Sequence, residues 1–115
     1  MEFNEDLGMY TMECRGLTFA WEEEPEEDVT IEVAEYAKNY HAHLDAIAEF
    51  IRPDIKEMYG CDDIEEIKAK LGKPVINYYD GQVLYTDHEF DQIHLFTLEF
   101  LDEAFEDLQY FSIDG

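Results

Sequence analysis

The sequence predicts an α+β fold, an antiparallel sheet packed on one long central helix plus a short helix, in the order β-β-β-α-α-β-β-β-β. Apolar residues recur at three-to-four spacing from Val33 to about Tyr59, and the segments on either side alternate with the period of strands. Strands gather before and after the helices instead of alternating with them, which argues against a parallel α/β sheet. At 115 residues the chain is expected to form a single domain over residues 1–115, because division would leave two marginal cores.

Residues 1–7 are polar and read as a frayed or edge segment. Met9 to Cys14 alternates, Arg15-Gly16 supplies turn chemistry, and Leu17 to Trp21 follows, which predicts a first hairpin. Phe19 and Trp21 share one face and are core candidates; a buried indole N–H needs a partner. Glu22-Glu23-Glu24-Pro25-Glu26-Glu27-Asp28 is too charged for any packed core and predicts a solvated loop. Val29, Ile31 and Val33 alternate with Thr30 and Glu32, predicting a third strand that runs into the helix.

The helix stripe is Tyr36/Ala37, Tyr40, Leu44, Ile47/Ala48, Ile51, Ile55 and Met58. Pro53 lacks the donor for an interior helical bond and clashes with the turn before it, so a kink or break is expected near Arg52. Gly60 fits a C-cap, and Asp62 with Glu65 resembles a capping box opening a short helix that carries Ile64, Ile67 and Leu71 and closes at Gly72. Val75 to Tyr79 and Gln82 to Tyr85 flank Asp80-Gly81, the dipeptide of a tight type I′ hairpin. Ile93 to Phe100 places His94, Phe96, Leu98 and Phe100 on one face, and Leu108 to Ile113 supplies the last strand.

A leading Leu7-Gly8, the Trp21 strand, the central helix, the short helix ending at Leu71 and the hairpin around Asp80-Gly81 form a recognisable order. With Tyr85-Thr86-Asp87-His88 and Ile113-Asp114-Gly115, this order resembles the bacterial domains of unknown function numbered 2262 and the related family numbered 2004. The chain departs from that pattern after His88, where Glu89, Phe90, Asp91 and Gln92 precede the next strand. The resemblance implies the fold, and it points to families whose members include proteins that look like toxin-immunity partners.

Charge bounds function more tightly. Thirty acidic residues against 7 basic ones give a formal net charge of -23 on a chain that is 46% hydrophobic, too apolar for a disordered acidic tail. Such a polyanion repels nucleic acid and anionic membranes, so no direct nucleic-acid or membrane partner is expected. The charge exceeds the roughly 2 to 8 units that keep a small domain soluble, and the surplus points to a basic protein partner, with plain solubility as the alternative. Cys14 and Cys61 are far apart, without a CxxC or an apolar leader, and read as reduced thiols of a cytoplasmic protein.

Catalytic and cofactor motifs are weak. His41 and His43 fall on different helix faces, while His88 and His94 with Asp87, Glu89 and Asp91 are conceivable metal ligands for a metal-dependent enzyme. Neither acidic run has the glycine and ligand spacing of an EF-hand. Ser112, the only serine, lacks a nucleophile-elbow pattern, and Cys61 sits among acids that oppose thiolate formation. No cofactor and no enzymatic activity are expected. The sequence reads instead as a binding protein that inhibits a basic partner, immunity-type or anti-defence, with contacts at Glu22, Glu23, Glu24, Glu26, Glu27, Asp28, Tyr78 and Tyr79. The alternative is a nucleic-acid mimic presenting Glu35, Asp45, Glu49 and Glu57 from the helix. Either a monomer or a homodimer through exposed strand edges fits.

Overall fold

The computed structural model describes residues 1–114 and is α+β: seven strands in one mixed sheet with three helices. The strands are β1 (Glu2–Asn4), β2 (Met9–Cys14), β3 (Leu17–Trp21), β4 (Val75–Asn77), β5 (Gln82–Tyr85), β6 (Leu95–Phe100) and β7 (Leu108–Asp114). Between β3 and β4 lie the helices α1 (Thr30–Ala42), α2 (Leu44–Tyr59) and α3 (Ile64–Leu71). Strands sit side by side in chain order, and every neighbouring pair is antiparallel except β3 and β4. That pair is parallel, with Thr18 opposite Val75 and Phe19 opposite Ile76, because the chain leaves β3, crosses the sheet through all three helices and re-enters in the same direction. The expected all-antiparallel sheet is corrected here: a helical crossover between adjacent strands forces a parallel pair.

The expected third strand over Val29 to Val33 is instead the start of α1. Val29, Val33, Ala37 and Tyr40 are all buried at helical spacing, whereas Ile31 is 81% exposed. Asp28 promotes the helix by accepting from the Thr30 N–H at 3.0 Å and the Thr30 hydroxyl at 2.6 Å. The missing strand is made up by β1, the edge segment beside β2.

The long helix divides at His43, not near Arg52. The His43 ring nitrogen Nδ1 and its backbone N–H both lie 3.0 Å from the Asn39 carbonyl. This closes α1 while the apolar stripe continues in phase into α2. Pro53 stays inside α2 on its exposed face, and the Glu49 carbonyl it deprives of a donor belongs to an exposed residue that water can serve. Gly60 caps α2 in the left-handed conformation (φ 74°), as expected. For α3 the capping residue is Asp63, accepting from Glu65 N–H at 2.9 Å, so the cap is one residue later than the sequence pattern placed it.

Turn chemistry is exchanged between the two hairpins. Arg15 (φ 50°) and Gly16 (φ 78°) link Cys14 to Leu17, giving the two positive angles of a type I′ turn. Asp80-Gly81 belongs to a longer loop, Tyr78 to Gly81, in which Gly81 alone has positive φ, so Tyr78 and Tyr79 are turn residues, not strand residues. His94 likewise lies just before β6.

One face of the sheet carries Phe19, Ile76, Val83, Tyr85, Phe96, Leu98 and Phe111 against Ile47, Ile51, Ile55, Ile67 and Leu71 of the helices. Within this core the Tyr40 and Tyr85 hydroxyls share a 2.6 Å hydrogen bond. The opposite face carries Thr11, Thr18, Thr97 and Glu99, half-buried or exposed, beside the buried Ala20, Val75 and Asn77. No helix is long and apolar enough to cross a membrane among the described residues. Gly115 lies outside the described residues.

Candidate functional site: an acidic cleft at the parallel strand ends

Because β3 and β4 run parallel, the segments that follow them emerge at the same end of the sheet. The acidic loop follows β3, and the Tyr78 to Gly81 turn follows β4. Together they line a cleft of about 500 Å³, formed by Glu22 to Glu27 on one side and Asn77, Tyr79 and Asp80 on the other. The structure thus brings together the acidic run and one of the two tyrosines singled out in the sequence.

The loop glutamates are exposed, and Pro25 is half-buried between them. None of Glu22, Glu23, Glu24, Glu26, Glu27 or Asp80 has a cationic partner among the described residues. Ion pairs form elsewhere: Arg52 with Glu49 and Asp62, Lys68 with Asp45 and Glu65, Lys70 with Glu66, and Lys73 with Glu13. The rim thus concentrates negative charge that no cation of the described residues offsets, which favours a bound cation there. Asp28 behaves differently from its neighbours: its side-chain bond to the Thr30 hydroxyl, then the Thr30 N–H, hold its carboxyl below the ordinary range. It serves the start of α1 and does not line the cleft.

The two tyrosines have separate roles. Tyr79 is 63% exposed, whereas Tyr78 is half-buried, stacked on Tyr36 at 4.5 Å between centroids and edge-on to Trp21 at 5.8 Å. The Tyr78 hydroxyl donates to Glu32 at 3.1 Å; burial and then that carboxylate push the phenol well above its usual range. Tyr79 stands edge-on to Tyr78 at 5.2 Å, so the exposed ring rests on an aromatic column rooted in the core. The Trp21 indole N–H is the only buried side-chain donor without a well-formed bond among the described residues, although it approaches the Tyr78 hydroxyl closely enough to oppose that upward shift.

Sequence reasoning missed Asn77. It is buried at the end of β4, donates from Nδ2 to Asp80 at 2.9 Å and accepts from the Asp80 N–H at 3.3 Å. These bonds fix the turn that presents Tyr79. Its signal was an asparagine three residues before the aspartate of an Asp-Gly turn, a spacing suited to side-chain bridging of the loop.

A second concavity, about 550 Å³, holds the histidines considered as metal ligands. His88 is buried and stacked on Phe96 at 3.8 Å; its Nε2 meets the His94 carbonyl at 2.6 Å and its Nδ1 accepts from the Phe90 N–H at 3.2 Å. Both ring nitrogens are therefore engaged in holding the loop. His94 Nδ1 lies 2.6 Å from Asp91, whose carboxylate also accepts from Tyr59 at 2.5 Å and from the Ile93 and His94 N–H groups at 3.1 and 3.0 Å. No group of three His, Cys, Asp or Glu side chains converges to hold a metal among the described residues. Cys14 and Cys61 are free and half-buried; Cys61 donates to Glu66 at 3.2 Å, and burial pushes its thiol up.

Asp91 gives a pH-dependence with a defined sign. Desolvation raises its carboxyl, but the hydrogen bonds from Tyr59, the His94 N–H, the His94 ring and the Ile93 N–H outweigh that and hold it well below the usual range. A depressed folded-state value stabilises above the unfolded value near ~4 and is lost as pH falls toward the folded one. Acid unfolding followed by circular dichroism is expected to be shallower for Asp91→Asn than for wild type below pH ~4; parallel acid curves would remove Asp91 from this role.

Comparison with known proteins finds no match to any family model, curated protein or solved structure, so the resemblance drawn from the sequence rests on its pattern alone. The fold and cleft define a class only by physics: a polyanionic α+β protein with an open acidic cleft at its parallel strand ends.

Proposed function

We propose that the chain is a small binding protein, not an enzyme, that captures and inhibits a basic protein partner, with a lysine or arginine side chain of that partner entering the acidic cleft. The observation that carries this reading is the set of carboxylates without internal counter-charge, facing an exposed Tyr79 ring on rigid aromatic backing. A cation seated there relieves carboxylate repulsion and stacks on the ring, an interaction worth about 0.5–2 kcal/mol depending on desolvation. Negative potential over the cleft also steers a basic partner to it and speeds association. An immunity-type or anti-defence inhibitor is the biological role that fits this chemistry. The nucleic-acid-mimic reading has less support: Asp45 and Glu49 already hold Lys68 and Arg52, which breaks the helix row it needs.

The test compares wild type with a variant carrying Glu→Gln at 22, 23, 24, 26 and 27 and Tyr79→Ala, each used as bait in a bacterial lysate at low salt and at ~0.5 M salt, where screening strips loose polyanion contacts. The expected result is one basic protein retained by wild type at both salts, with affinity for the purified partner falling roughly 100-fold in the variant. Equal retention by the variant would overturn the cleft as the site. Capture at low salt only would return the charge to solubility.

A further inference from the structure

We propose that the outer edge of β7 is a docking site for an extended basic peptide, which adds to the sheet as an eighth strand in the groove between β7 and α2. β7 ends the sheet, and among the described residues no strand pairs with its outer side. It is seven residues long, Leu108 to Asp114, while the other edge strand, β1, has three. Sheet edges of this length leave alternate N–H and C=O groups without strand partners and are usually blunted by lysine, proline or a covering element. β7 has neither lysine nor proline.

The edge is also grooved. Asp54, Glu57 and Met58 of α2 and residues Tyr110 to Asp114 of β7 enclose a trough of about 470 Å³. The register with β6 puts Phe111 and Ile113 on the helix side and Tyr110 and Ser112 on the open face. An added strand would therefore lay alternate side chains against Met58, 49% exposed, on one side and Tyr110, 58% exposed, on the other.

Charge selects the occupant. Asp54, Glu57 and Asp114 flank the trough, and none of them has a cationic partner among the described residues. A second copy of the chain would bring the same carboxylates face to face across a two-fold contact, with -23 on each molecule. A strand alternating lysine or arginine with apolar residues satisfies the backbone edge, the apolar handles and the carboxylates together. This proposal does not rest on the acidic cleft, which involves different strands.

The probe is a short end-capped peptide alternating lysine and valine, compared with an isomer of identical charge whose alternate backbone nitrogens are methylated so that it cannot complete a ladder. Binding is read by fluorescence anisotropy, and hydrogen exchange locates it on the wild-type protein. Expected are at least ~10-fold weaker binding of the methylated peptide, slowed exchange confined to 108–114, and unchanged binding to the cleft variant carrying Glu→Gln at 22, 23, 24, 26 and 27. Equal affinity for both peptides, protection outside 108–114, or absence of binding would overturn the proposal. Loss of binding in the cleft variant would instead assign the peptide to the acidic cleft.

Discussion

Phe105→Ala is expected to cost about 3–5 kcal/mol, and Phe105→Gly about 1 kcal/mol less than that, an inversion of the usual penalty for glycine. Phe105 is fully buried, with its ring 4.5 Å from Phe100, 5.6 Å from Tyr40 and 6.1 Å from Tyr36 between centroids. It therefore plugs the end of the core between α1 and β6. Its backbone has φ 57°, where a side chain's Cβ crowds the carbonyl oxygen and glycine does not. The loop can hold that angle because Asp102 accepts from the Glu106 and Asp107 N–H groups at 3.2 and 2.8 Å, while Leu101 N–H bonds Asp107 O at 3.0 Å. Removing the ring loses burial in both variants, but only glycine also releases the strain. Urea unfolding of the two variants decides the matter: alanine equal to or more stable than glycine would mean that the backbone here is unstrained.

Gly72→Ala is expected to destabilise by about 3 kcal/mol, through two effects that act together. Its backbone lies at φ 72°, ψ -162°, a region essentially reserved for glycine. A Cβ at this position would stand 2.5 Å from the Asp87 carbonyl oxygen, a backbone atom that cannot swing aside. The same junction is tied by the Glu89 N–H donating to Lys70 O at 2.8 Å, so displacement would loosen the loop that carries His88, Asp91 and His94. Gly60→Ala is the control: it shares a positive φ of 74°, but a Cβ there meets nothing, and its cost is expected near 1 kcal/mol. If Gly72→Ala unfolds at the same denaturant concentration as Gly60→Ala, the close approach to Asp87 has no energetic consequence.

Elements whose partners lie nearby in the chain were legible in the sequence. The Arg15-Gly16 hairpin, the Gly60 cap and the Ile64, Ile67, Leu71 face of α3 are local pairings, fixed by spacing and by glycines at positive φ. Val29 to Val33 was misread because short apolar runs satisfy both periods. Only the buried partners at Ala37 and Tyr40, and the Asp28 contact with Thr30, select the helix. The break at His43 was invisible because the apolar stripe runs straight through it, while Pro53, the obvious breaker, sits inside α2 on its exposed face without ending the helix. At the site, composition alone marked Glu22 to Glu27 as solvated, and period-two alternation required one of Tyr78 and Tyr79 to pack inward. The structure half-buries Tyr78 against Tyr36 and Trp21 and leaves Tyr79 out, but on a turn and not on a strand.

Composition and periodicity are enough to specify an α+β chain of net charge -23 with one apolar helix face and an acidic loop that no core could absorb. Where that loop points depends on how the strands pair. The acidic run and Tyr79 are more than fifty residues apart in the chain, and they meet because the three-helix crossover returns β4 parallel to β3. Antiparallel neighbours would have sent the two segments to opposite ends of the sheet; parallel pairing sends both to one end and makes a single cleft of them.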